Sequence, residues 1–213
     1  MSERPRIAVL DYGMGNLRSV EKGLERSGAQ ASVTRDHQEI RSADGVVLPG
    51  VGAFPKAMRN LRDLGLDTVL EEVVSGATPT LGICLGLQLL FESSSENEGS
   101  AGLGFLKGAV ERLSAPGLKV PLIGWNPVTW AKGSRLTDGL PDSCPFYFVH
   151  SFAPLGIADE DRLGTAEYGE PFACAVEHGM LFGVQFHPEK SSVHGLRLLE
   201  NFAAVCASVG APS

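Results

Sequence analysis

Pro79-Thr-Leu-Gly-Ile-Cys84-Leu-Gly-Leu-Gln88-Leu-Leu90 sets a cysteine between two glycines, each two residues away, where one residue pattern gives way to another. Leu81 and Ile83 read as the end of a buried strand, and Leu85, Leu89 and Leu90 as the apolar side of a helix. Gly82 and Gly86 would relieve the crowding of a sharp turn between them, the signature of a nucleophile elbow. Such a turn holds the sulfur out at a helix N-terminus. Unpaired amides there favour the thiolate, the form that attacks a carbonyl.

Upstream of this elbow, Ile7-Ala-Val-Leu10 is expected as a buried first strand, and Asp11-Tyr-Gly-Met-Gly-Asn16 as a loop opening a helix. Leu17, Val20 and Leu24 share one face of that helix, and Ser27-Gly28 ends it. Ala31 to Thr34 and Gly45 to Leu48 read as the next two strands, the latter followed by the permissive loop Pro49-Gly-Val-Gly52. Helical patterns around Ala57 to Leu61 and Leu66 to Val74 then lead to the cysteine. A β-α-β-α-β beginning implies an α/β fold, with a parallel sheet covered by helices and a ligand crevice at the carboxyl ends of its strands.

Downstream, Ser93-Ser-Ser-Glu-Asn-Glu-Gly99 reads as a solvated loop. From Phe105 to Phe186 short strands alternate with turns, including Phe146-Tyr-Phe-Val149 and a hairpin around His178-Gly179, so an antiparallel portion is added to the sheet. Leu196, Leu199 and Phe202 give a final helix its apolar face, and only the last residues read as a disordered tail.

The 213 residues, 43% hydrophobic and 20% charged, suffice for one buried core. A single unit is expected over residues 1–213, its core running from about residue 5 to about residue 207. A net charge of −7 with scattered Lys and Arg argues against a nucleic-acid surface and for small-molecule chemistry. Cys84, Cys144, Cys174 and Cys206 form no C-x-x-C, so no zinc knuckle or redox dithiol is signalled, and free thiols suit a reducing cytosol. Met1 to Arg6 lead straight into the first strand without a long apolar stretch. A soluble cytoplasmic protein, with no membrane association, no cofactor and no metal, is expected.

A lone cysteine is more often a small core side chain than a nucleophile. Gly183-Val-Gln-Phe-His187-Pro-Glu189-Lys190 supplies what would make it one: an imidazole and a carboxylate two residues apart at the end of an apparent strand. In extended backbone these point to the same side, so Glu189 can fix the ring of His187 and leave its other nitrogen to exchange a proton with Cys84. Metal binding by His187 and Glu189, or by Cys174 and His178, is the rival reading, but neither pair completes a coordination set.

Cys84 within Gly-Ile-Cys-Leu-Gly, together with His187-Pro-Glu189, resembles the class I, or triad, glutamine amidotransferases over nearly the whole chain. The match extends to Asp11-Tyr-Gly-Met-Gly-Asn-Leu-Arg-Ser-Val20, Pro49-Gly-Val-Gly52, Val120-Pro-Leu-Ile-Gly-Trp-Asn126, Tyr147-Phe-Val-His-Ser151 and His187-Pro-Glu-Lys-Ser191. Together these are similar to the histidine-biosynthetic branch, whose glutaminase serves a separate cyclase subunit. The anthranilate synthase and GMP synthetase branches are not expected to carry the whole set.

The resemblance implies hydrolysis of L-glutamine to L-glutamate and ammonia through a glutamyl thioester on Cys84, with His187 as proton carrier and Glu189 as its orienting group. The cyclase, as heterodimer partner, would combine the ammonia with a phosphoribosyl-bearing aminoimidazole precursor to give imidazole glycerol phosphate and AICAR. Leu85 and Val51 are implied as oxyanion donors, after an inward turn of the glycine loop. Gly52, Gln88, His150, Ser151 and Phe152 are implied to hold glutamine, and Asn16, Trp125, Tyr147 and Lys190 to meet the cyclase. Phe152 stands where the family usually has tyrosine, and Leu122-Ile123 where it often has His-Met. Trp125, in a Gly-Trp-Asn turn, reads either as a core aromatic or as an interface anchor. A cysteine hydrolase of γ-glutamyl peptides would keep the same nucleophile and base, and a scaffold subunit would keep them for structure alone. Product analysis separates the first, and labelling of Cys84 by a glutamine-mimicking electrophile the second.

Overall fold

The computed structural model describes residues 4–209. The tail expected at the last residues falls at 210–213, outside them. The chain begins with β1 (Arg6–Leu10), α1 (Leu17–Arg26), β2 (Gln30–Thr34), α2 (His37–Arg41), β3 (Gly45–Leu48), α3 (Phe54–Asp63), α4 (Leu66–Ser75) and β4 (Thr80–Ile83). β3 and β4 are buried at every position, as strands of a parallel sheet covered on both faces must be. Side chains of β1 alternate between two cores. Ile7 and Val9 pack with Val20 and Leu24 of α1, whereas Ala8 and Leu10 pack with Phe54, Leu61 and Leu70 of α3 and α4.

After α5 (Leu85–Leu89) come β5 (Phe91–Ser94), β6 (Ser100–Ala101), β7 (Leu106–Arg112), β8 (Leu122–Trp130), β9 (Ser143–His150), β10 (Phe152–Leu155), β11 (Arg162–Tyr168), β12 (Glu170–His178), β13 (Leu181–Val184) and α6 (Ser192–Val209). Among the described residues, nine strands form one mixed sheet in the order β2-β1-β3-β4-β13-β12-β11-β8-β9. The strands from β2 through β13 in that order run parallel, and the remaining pairings are antiparallel. A second sheet has the order β10-β7-β5-β6. The fold is therefore α/β, with helices flanking a large mixed sheet and an added antiparallel portion. No helix among the described residues is long and apolar enough to cross a membrane.

Several local expectations change. The five-residue α2 follows Asp36, whose carboxylate caps the amides of Gln38 and Glu39, a signal too short for periodicity to reveal. The helix after the elbow spans only Leu85–Leu89, and Ser93-Ser94, expected in a solvated loop, lie in β5 with Ser94 buried. Glu96 faces inward to accept the amide of Phe54 at 2.7 Å. The buried face of α6 is built from Leu198, Leu199, Phe202, Ala203, Val205 and Cys206 beside Gly195, with Leu196 at its edge. The expected hairpin at His178-Gly179 joins β12 to β13, and Gly179 takes the positive φ of 60° that its tight turn requires.

One pairing decides where the chemistry lies. β13 inserts parallel to β4, setting Val184 opposite Ile83, so the chain leaves both strands at the same end of the sheet. Cys84 follows one strand directly, and His187 stands three residues beyond the other.

Candidate active site

Cys84 adopts φ 55° and ψ −107°, a conformation that costs a non-glycine residue roughly 1–3 kcal/mol. Its amide donates to Val184 O at 2.8 Å and its carbonyl accepts from Gln88 N at 3.3 Å, so the neighbouring strand and the following turn hold the strain in place. A Cβ on Gly86 would lie 1.7 Å from Leu48 O, and one on Gly82 would lie 2.8 Å from the backbone of Gly86. Backbone meets backbone at these points, which is why the elbow has glycine on each side.

His187 is wholly buried and its amide donates to Tyr147 O at 2.9 Å. Nδ1 lies 2.8 Å from Glu189 Oε1, so Nδ1–H donates to the carboxylate and Nε2 is the nitrogen left for proton exchange; Nε2 has no hydrogen-bond partner among the described residues. Burial works against charging the ring, but neighbouring Cys84 and Glu189 outweigh it and push the imidazole up to about 9. The two side chains do not meet by strand alternation as expected. β13 ends at Val184, and Pro188–Lys190 form one turn of 3₁₀ helix, which Pro188 favours at its first position; that turn folds Glu189 back beneath the ring.

Leu85 opens α5 directly after Cys84, and Val51 lies in the loop that follows β3. Leu85 is buried and its amide donates to Gly50 O at 3.3 Å. Val51 follows in the glycine loop, where Gly52 has φ 129° and a Cβ would meet Met14 Cε at 2.6 Å. Gln88, also buried, spends its amide nitrogen on Phe152 O (2.8 Å) and Gln185 Oε1 (3.1 Å). His150 ends β9 with Nδ1 2.9 Å from Phe152 O. Burial, helped by the neighbouring His187 and only partly offset by that hydrogen bond, lowers its pKa to about 4, so the ring is neutral near pH 7. Ser151 links β9 to β10 and its carbonyl accepts from Leu113 N at 2.9 Å. The Phe152 carbonyl oxygen, an atom that does not depend on whether the side chain is phenylalanine or tyrosine, thus meets both Gln88 and His150.

The four residues expected at a partner surface divide. Trp125 is 54% exposed, which removes the core-aromatic reading. It lies in β8 rather than in a turn, paired with Tyr147 of β9, and the two rings meet edge to face at 6.1 Å. Ile123, next but one along the same strand face, is also exposed. Lys190 is exposed at the end of the 3₁₀ turn. Asn16 instead turns to the centre, its side-chain amide donating to Glu189 Oε1 at 2.5 Å and lying 3.5 Å from His187 Nδ1. Asn16 occupies the N-cap position of α1 in a left-handed conformation without capping the helix, so its side chain is committed to the carboxylate.

Sequence reasoning missed Gln185, which is completely buried with Nε2 3.7 Å from Cys84 Sγ. A signal was present: Gln185 stands two residues before His187 in a segment read as extended, where alternate side chains share a side. His187 and Glu189 meet, but Cys174 and His178 do not, and no group of three or more His, Cys, Asp or Glu side chains among the described residues is placed to hold a metal ion. His178 Nδ1 is 2.8 Å from Asp161 Oδ1, and the Cys174 thiol is fully buried, which pushes its pKa up.

A profile described as glutamine amidotransferase class-I matches residues 8–206. The imidazole glycerol phosphate synthase subunit HisH of Moorella thermoacetica is 52% identical over 204 residues, covering 96% of this chain and 97% of the relative. The subunit of the same name from Bacillus cereus is 48% identical over 199 residues, covering 93% and 94%. Among solved structures, PurLQS from Thermotoga maritima superposes with a TM-score of 0.73 at 19% identity, over 97% of this chain and 99% of that one, a likeness of fold.

Proposed function

The chain belongs to the class-I glutamine amidotransferase family, and we propose that it is the glutaminase subunit of an imidazole glycerol phosphate synthase, making ammonia from L-glutamine for a cyclase partner in histidine biosynthesis. The observation that carries the chemistry is the convergence of Cys84, on its strained elbow, with a buried His187 whose Nδ1 is held by Glu189.

Cys84 Sγ attacks the side-chain carboxamide carbon of glutamine, and the amide oxygen gains the negative charge. Amides of Leu85 and Val51 receive that charge once the glycine loop turns inward. As the tetrahedral centre collapses, the C–N bond breaks, and His187 gives its proton to the departing nitrogen. An imidazole whose proton affinity is raised to about 9 already carries that proton near pH 7. Water, deprotonated by the now neutral ring, attacks the glutamyl thioester and expels the thiolate, releasing glutamate and restoring the starting state. Glu189 orients the ring and balances the imidazolium throughout.

Gly52, Gln88, His150, Ser151 and Phe152 line the place of the glutamine. Gln88, with its nitrogen engaged, offers an acceptor to one of the substrate's N–H groups. Trp125, Tyr147 and Lys190 form the face toward the cyclase, with Asn16 behind it at the carboxylate. Ammonia in bulk water is largely protonated and unreactive, which favours handing it directly to the partner in a heterodimer. One amidotransferase domain spans residues 1–213, and four free cysteines suit a cytoplasmic location. The test is a glutaminase assay on the chain alone, with the cyclase, and with the cyclase and its nucleotide ligand. Glutamate release with ammonia incorporated by the cyclase is expected, and release of glutamate without incorporation would point to a different partner.

A further inference from the structure

The side chain of Gln185 touches the reacting sulfur, and the hydrogen bonds around it settle which of its two ends does so. Phe152 O can only accept, so the Gln88 atom 2.8 Å away must be its nitrogen. That nitrogen also donates to Gln185, 3.1 Å away, so the near atom of Gln185 must be its oxygen. The amide nitrogen of Gln185 is thereby turned to Cys84 Sγ at 3.7 Å. A run of donors from one strand end to the nucleophile leaves no freedom for a flip.

This placement is costly unless it does something for the sulfur. An amide with no exposure loses all its contacts with water and needs hydrogen bonds in their place. Gln185 has an ordinary one through its oxygen, whereas a thiol is a weak acceptor for the N–H at the other end. The same N–H bonds much more strongly to a thiolate, because hydrogen bonds to an ionised partner are about twice as strong as neutral ones, and burial strengthens them further.

We propose that Gln185 is a catalytic residue of the glutaminase reaction, donating a hydrogen bond from Nε2 to Cys84 Sγ that favours the thiolate both as attacking group and as the group expelled from the thioester. The inference rests on the assignment of Cys84 as nucleophile. It divides the work at the sulfur: His187 exchanges the proton and Gln185 holds the charge. It also gives Gln88 a second duty, since the contact from Gln88 to Gln185 Oε1 is what keeps the donor aimed.

Two variants separate these effects in the full chain bound to its cyclase. Gln185→Glu keeps the acceptor that Gln88 requires and, when ionised, lacks the donor; Gln185→Met removes both. The rate at which iodoacetamide labels Cys84 at neutral pH, read by mass spectrometry of the peptide that carries it, reports the thiolate independently of glutamine binding. Labelling is expected to slow at least ~10-fold in each variant, as loss of a hydrogen bond to a charged group implies. Glutamine-dependent turnover should fall similarly, and ammonia-dependent synthesis should be unaffected. KM for glutamine should stay within about twofold in Gln185→Glu and rise in Gln185→Met, where Gln88 loses its anchor. Wild-type labelling and turnover in either variant at an unchanged melting temperature would overturn the proposal. The underlying assignment fails separately, if Cys84→Ala leaves glutaminase activity intact.

Discussion

The peptide nitrogen of Leu85 donates to the carbonyl oxygen of Gly50 at 3.3 Å. Gly50 C=O and Val51 N–H belong to one planar trans unit and point in opposite directions, so while the carbonyl faces Leu85 the Val51 amide faces away. Turning that single plane would release the Leu85 donor and bring in the Val51 donor together. The loop is held on both sides: the Tyr12 hydroxyl donates to Pro49 O, and Met14 packs against Gly52.

Free subunit, binary complex and nucleotide-bound complex are therefore expected to differ mainly in turnover. Oxyanion donors act on charge present only in the transition state, and each is worth ~10²–10³ in kcat, so kcat should rise far more than KM changes. Steady-state kinetics on the three species decide it. Equal turnover in all of them would remove gating while leaving the glutaminase assignment standing.

Cys84→Ala and His187→Ala should each abolish glutamine-dependent synthesis by the complex and leave ammonia-dependent synthesis intact, because in the proposed mechanism both groups serve only to liberate nitrogen. The two nitrogen sources can be compared in one cyclase assay. Loss of both activities in a correctly assembled complex would contradict this division of labour.

The proton affinity of His187, raised from 6.5 to about 9, makes a stability prediction of definite sign. The folded state binds the proton more tightly than the unfolded chain, so the stabilisation is fully present below about pH 6.5 and is lost as pH rises through about 9. The margin between wild type and His187→Ala in thermal melts should narrow over that window, by up to about 3 kcal/mol. A margin that is flat from pH 6 to pH 10 would mean that the folded and unfolded rings titrate alike.

Trp125→Ala is expected to weaken cyclase association by at least ~2 kcal/mol with little loss of subunit stability, since the ring is largely exposed in the lone chain. Calorimetric titration and melting distinguish the outcomes. A large fall in melting temperature at unchanged affinity would return Trp125 to a structural role.

Gly86→Ala is expected to destabilise the subunit by about 1–3 kcal/mol or more and to lose glutaminase activity, because the new methyl must displace Leu48 O, an atom of the buried sheet. Denaturant melts and the glutaminase assay test both parts, and a variant with native stability and turnover would refute the backbone-contact account of the elbow.

Much of this was legible in the residue order because it is local. The elbow needs glycine two residues to each side of Cys84, the first strands need unbroken apolar runs, and the helices need apolar faces, so each leaves a short pattern. The identities of Cys84, His187 and Glu189 could be read in the same way. Their meeting could not, because it depends on β13 lying parallel to β4 with Val184 opposite Ile83, a register between segments a hundred residues apart. The turn that brings Glu189 under His187 replaced the expected extended geometry once Pro188 opened a 3₁₀ turn. Likewise Asn16 bonds Glu189, and Gln88 orients Gln185 toward the sulfur, through contacts spanning 173 and 97 positions. Periodicity records which side of its own element a residue occupies. Which distant donor meets which acceptor is decided only when the packed sheet removes water from both.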